Sequence, residues 1–201
     1  MAAERAGSAV YRILPAESLL LVHVGRGGAM QRLGHEHAVA SEDLQGLVAI
    51  GAEPATSRAD IVFPIRNLVV DRHEYRQRLA LDTEPSADDI AGTYTNMLKV
   101  LEPELYPWAT MQAQIVSMDG NQATLSVSVT LHGSAFEYLL PVELYIDRER
   151  VEVSGSTTIR HSDFAIAPFT AAGGLLRVAD ELGIEFHLVG IAMQAGSRAG
   201  T

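Results

Sequence analysis

The sequence predicts an all-β protein, an antiparallel barrel of about eight strands with one short helical insertion over about residues 72–101. Three observations point there. Most of the chain alternates apolar and polar residues with period two, the mark of strands with one buried face. The helical periodicity is confined to one crossover between strands, which argues against an alternating α/β sheet. The apolar faces are large enough to line a closed interior, and closure hides the edges that a flat sheet leaves exposed.

Before the insertion the alternation predicts strands over Val10–Leu14, Ser18–Val24, Leu33–Ala40, Leu44–Ile50 and Arg58–Ile65, and after it over Thr110–Met118, Ala123–His132, Phe136–Ile146, Glu149–Arg160 and Ile184–Met193. Asp119-Gly120-Asn121 is a hairpin turn signal, and Asp147-Arg148 marks another. Within the insertion, Ser86 with Asp89 three residues on forms a helix N-cap signature. Ile90, Tyr94, Met97, Leu98 and Leu101 then recur on one helical face until Pro103 ends it. Asn96 falls off that stripe. A shorter helix is expected over Glu74–Leu79.

Residues 10–194 read as a single domain, with a loosely ordered stretch over 1–9 and a small, polar tail over 195–201 that frays. The 201 residues, 47% of them hydrophobic, suffice for one sizeable core. A formal charge of −10 makes nucleic acid and anionic membranes poor partners. With no cysteine there is no disulfide, thiolate nucleophile or thiolate metal site. No apolar run approaches the ~18 residues a membrane helix needs, so no membrane insertion is expected. The first residues carry no secretory signal. That predicts a cytoplasmic protein if the chain is full length, and a periplasmic one if a leader was removed.

The densest chemistry is Gly34-His35-Glu36-His37. On a strand, Leu33, His35, His37 and Val39 share one face and Glu36 takes the other. Two imidazoles beside aliphatic neighbours mark either a metal site or the polar end of an apolar cavity. Zinc needs a third and usually a fourth ligand. Glu36 points away, and nothing in the sequence directs His23, His132, His161 or His187 toward the pair. Metal binding by His35 and His37 is therefore the alternative, and cavity histidines the main reading. No nucleophile elbow, zinc-protease motif, P-loop or dinucleotide fingerprint occurs, and Gly25-Arg26-Gly27-Gly28 reads as a turn between strands, so an enzyme is not expected. Asp163 and Phe164 read as a turn acid and a core aromatic. Arg160 and His161 are alternatives at the cavity mouth, and Asp180 reads as a turn anchor.

Several segments, in order, resemble the YceI-like family of polyisoprenoid- or lipid-binding domains. They are Leu68-Val69-Val70-Asp71; Asp89-Ile90 with Thr95-Asn96-Met97-Leu98, Val100-Leu101 and Tyr106-Pro107; Leu131-His132-Gly133; Pro141-Val142; His161 through Phe169; and Gly173 through Asp180. The Gly-His-x-His run resembles a subgroup of that family. The resemblance spans roughly residues 10–193. It implies an extended, lipocalin-like eight-stranded barrel that holds a long apolar molecule without catalysis, and it allows a homodimer. It also implies that Asn96 makes a structural hydrogen bond to a neighbouring loop. Ala165 stands where the family pattern has glycine, so a positive φ is not expected there.

The ligand expected is an isoprenoid quinone, a polyprenyl lipid or a fatty-acid-like lipid, and no cofactor is required. Its tail would be buried by Leu20, Val22, Phe63, Val129, Leu140, Val142, Phe186 and Leu188. Tyr94, Met97 and Leu98 would cover it, and His35 and His37 would meet a carbonyl or hydroxyl at its head. A barrel filled by its own side chains, serving as a structural or interaction module, is the remaining alternative.

Overall fold

The computed structural model describes residues 9–29, 34–171, 173 and 175–193. The expectations for residues 1–8, for Leu33 and for the tail from Ala195 lie outside these. The strands are β1 (Ala9–Ile13), β2 (Leu19–Gly27), β3 (His37–Ser41), β4 (Gln45–Ile50), β5 (Arg58–Pro64) and β6 (Val69–Val70). Two helices follow, α1 (His73–Arg78) and α2 (Ala87–Leu101). Then come β7 (Trp108–Asp119), β8 (Gln122–Leu131), β9 (Ser134–Ile146), β10 (Arg150–Arg160), β11 (Thr170–Ala171) and β12 (Leu176–Ala192).

The antiparallel order β1-β4-β5-β7-β8-β9-β10-β12 closes on itself, because β12 also pairs with β1. This is the eight-stranded barrel that the alternation predicts. β12 is long enough to serve two neighbours on one side. Its residues 177–187 pair with β2, and its last residues pair with β1. From β2 the sheet continues to β3 and β6.

Local chemistry sets the register. Asp119 pairs with Gln122 around Gly120 at φ 57, and Leu131 pairs with Ser134 around His132 at φ 51 and Gly133 at φ 76. Positive φ at Gly120 in the first loop, and at both His132 and Gly133 in the second, suits the twist of a tight hairpin. At Gly133 a Cβ would also stand 2.6 Å from the Tyr106 ring, so only glycine fits. The first register pairs Ala113 with Val127 and Met111 with Val129, and these apolar residues all turn inward.

Ser86 caps α2 as expected. Its Oγ accepts from Asp89 N at 3.2 Å, and Asp89 Oδ2 accepts from Ser86 N at 3.0 Å. Glu102 at φ 45 ends the helix. α1 lies on the outer face of β2 and β3, where Tyr75 packs with Leu21, Ala38 and Ala40.

Three expectations are corrected. β3 begins at His37, so His35 precedes the strand and the alternation argument does not reach it. β12 begins at Leu176, not Ile184; the Asp180-Glu181 pair interrupts the alternation because a bulge lies between Val178 and Leu182. Ala165 does take a positive φ, 56°, where it ends the turn His161–Phe164.

Candidate functional site

The barrel encloses a cavity of about 410 Å³ whose surface is almost wholly apolar, built from side chains of the strands and of α2. That volume lies in the usual range of small-molecule sites. Along β12 the lining runs from Val178 to Leu188. This is roughly 30 Å along the strand and about 23 Å along the axis at the usual barrel tilt. So modest a volume over that length is a narrow bore, suited to one extended chain rather than a broad fused-ring body.

Of the residues expected from the sequence, Leu20, Val22, His37, Phe63, Met97, Val129, Leu140, Phe186 and Leu188 line this cavity. The remaining four do not. Val142 packs in the core cluster with Tyr11 and Leu144. Tyr94 turns aside to donate its hydroxyl to the Arg66 carbonyl at 2.8 Å, and Leu98 packs against the cluster around Phe63. The face α2 gives the cavity is Thr93, Asn96, Met97, Val100 and Leu101. That stripe is rotated from the one read in the sequence, because the two polar residues at its edge were not counted as lining. Asn96 faces the cavity and its amide makes no hydrogen bond among the described residues.

His35 stands apart from the cavity, with its ring centroid 6.4 Å from that of His37. Its Nδ1 is buried without a partner. Glu36 does point outward, toward His23 and Arg26 at 3.8 and 4.0 Å. Among the described residues, no three histidine, aspartate or glutamate side chains gather as a metal cage.

His37 owes its position to three elements. β3 turns it inward, opposite Val24 of β2. β6 delivers Asp71, whose N–H donates to the Ala38 carbonyl at 2.7 Å while Ala38 N donates to Asp71 Oδ1 at 2.9 Å. This double clasp holds Asp71 in a left-handed conformation, φ 52. α1 adds Arg76, whose Nη1 donates to Asp71 Oδ1 at 2.6 Å and to the Glu36 carbonyl at 2.8 Å. Its Nη2 reaches the Thr83 carbonyl and, at 3.0 Å, the Thr83 hydroxyl. The remaining carboxylate oxygen, Oδ2, lies 2.6 Å from His37 Nδ1. Burial alone would push the Asp71 carboxyl up, but the bonds from His37, Ala38 and Arg76 outweigh it and hold it below the usual carboxylate range.

A second histidine, His161, lines the same cavity. His37 lies across from Val24, Val24 from Leu182 and Leu182 from Ile159, and His161 follows two residues on. Burial keeps its ring from charging and lowers its pKa; its Nδ1 is 3.3 Å from the Asp180 carbonyl. Arg160 pairs with Glu181 at 2.7 Å at the surface. Phe164 is fully buried, and Asp163 accepts from the Tyr138 hydroxyl at 2.7 Å. Asp180 accepts from the Ser162 N–H and hydroxyl, at 2.9 and 2.7 Å.

Sequence reasoning missed Asp71 and Arg76 as members of the site. Asp71 was visible only as the end of an apolar-Val-Asp run, 34 residues from His37. Arg76 resembles any exposed helix cation until α1 is laid on the sheet.

No family model matches the chain, and no curated protein matches it. Thirteen solved chains do. BcnA of Burkholderia cenocepacia is 20% identical, with a TM-score of 0.57 over 88% of this chain and 98% of that one. YceI of Campylobacter jejuni is 15% identical, with a TM-score of 0.52 over 76% of this chain and 82% of that one. The fold is that of the YceI-like barrels.

Proposed function

We propose that this protein is a non-catalytic binder of a long apolar molecule, held along the barrel axis. The observation that carries this reading is the narrow, apolar bore, lined along its length by inward-facing strand residues and by one face of α2. Burial of the tail dominates affinity, since each methylene removed from water contributes about 0.8 kcal/mol. The likeness to YceI-like barrels supports the reading, because that barrel type is associated with lipid and polyisoprenoid ligands. No helix among the described residues is long and apolar enough to cross a membrane.

Uptake of an apolar fluorescent probe, together with native mass spectrometry of protein purified without organic extraction, tests the reading. The wild type should take up the probe or carry a lipid mass. Met111→Trp, which fills the bore between β5 and β8, should still fold by circular dichroism and bind the probe at least about tenfold more weakly, since excluding about two methylenes from burial is worth that much. A wild type that neither takes up probe nor carries lipid would end the proposal.

A further inference from the structure

The chemistry of His37 goes further and specifies the end group of the ligand. An ionised carboxylate only accepts hydrogen bonds. Asp71 is held in that form, so the proton between Asp71 Oδ2 and His37 sits on Nδ1. The clasp to Ala38 and the Arg76 bond fix the carboxylate and with it the ring. In the neutral imidazole the other nitrogen, Nε2, is then a lone-pair acceptor. It has no hydrogen-bond partner among the described residues, and the ring lines the apolar cavity. An acceptor facing such a wall is satisfied only by a donor.

We infer that the barrel selects chain molecules ending in a hydroxyl, a long-chain alcohol or hydroquinone, over the same chains ending in a carbonyl, ether or carboxylate. A hydroxyl gives its proton to His37 Nε2 and keeps its own lone pairs for the amide of Asn96, which faces the same cavity from α2. A ketone or ether oxygen sets lone pair against lone pair. An ionised carboxylate also has no proton to give to Nε2, and it brings a second negative charge to a ring that already faces Asp71 at Nδ1. This narrows the sequence expectation, in which carbonyl and hydroxyl heads stand equal, and it rests on the reading of the barrel as a chain binder.

The test is displacement of a bound apolar fluorescent probe by palmityl alcohol, its methyl ether and palmitic acid. The alcohol should compete about tenfold better than the ether, the worth of one hydrogen bond where a bound chain would otherwise cover the acceptor without a donor. The acid should compete no better than the ether. In His37→Gln, whose amide both donates and accepts, the alcohol-to-ether ratio should fall toward one, each competitor being read against the probe's own affinity for the variant. An ether or acid that competes as well as the alcohol in the wild type overturns the assignment of the end group and leaves the chain-binding reading standing. Failure of the probe and of all three chains to bind overturns both. The wild-type ratio decides the matter even if the variant does not fold.

Discussion

His35 and His37, two residues apart, are separated by what lies behind each ring. His37 has a buried carboxylate that orients it. His35 has a buried nitrogen with no partner. Asp71 is therefore the residue on which this end of the cavity depends. Asp71→Asn leaves Arg76 buried without its counter-ion, and the loss of stability should be about 3 kcal/mol or more by urea denaturation. The pH dependence has a definite sign. The folded Asp71 pKa lies below its unfolded value, so its contribution is complete above about pH 4 and is lost as the pH falls through the folded value. Wild type and variant should converge in acid; a difference that stays constant from neutral pH down would contradict this. Ala165 offers the opposite experiment. A side chain in the left-handed region costs about 1 kcal/mol, so Ala165→Gly should raise the midpoint of thermal unfolding. An alternating pattern reveals that His37 shares a face with Val39. It cannot reveal the carboxylate behind it, because Asp71 arrives through the pairing of β6 with β3.

At the scale of elements, legibility followed regularity. The long hairpins from β7 to β10 alternate over most of their length, with one irregularity between Ile115 and Ser117, and the sequence placed them within a residue or two. β6 and β11 are two residues each, too short to show a period. α2 was visible through its capping box and its apolar spacing, but its cavity face was misjudged. That face includes Thr93 and Asn96, which an apolar count skips. Removal of the cap by Ser86→Ala should cost about 1 kcal/mol in equilibrium unfolding. It should also raise amide exchange in the first turn of α2 before that of the strands, since only the helix start loses its partner. Uniform acceleration throughout the barrel would mean that the cap stabilises more than its own helix.

For the whole molecule, the barrel was legible because every apolar face needed one shared interior. The hollow within it was not. Leucine and valine on an inward face look the same whether they meet each other or leave a bore. The difference lies in how far the strands stand apart, which no residue pattern states. Closure of the ring is also less complete than eight paired strands suggest. β9 pairs with β10 only over 143–146 and 151–154, and above that level neither strand bonds to the other. Residues of the turn His161–Phe164 lie over the gap, with the Phe164 ring 6.4 Å from Tyr138 and the Tyr138 hydroxyl on Asp163.

That gap gives the protein a liability. The upper part of β9 is a sheet edge inside a fold that otherwise has few, and Leu139 on the same strand is 69% exposed. Unpaired edges recruit other strands. Phe164 and the Tyr138–Asp163 bond thus act as a guard against self-association. Tyr138→Phe should lose about 1 kcal/mol, and on mild heating it should form strand-rich aggregates sooner than the wild type, as followed by light scattering and an amyloid-sensitive dye. Equal aggregation times would show that the edge is protected by something other than this turn.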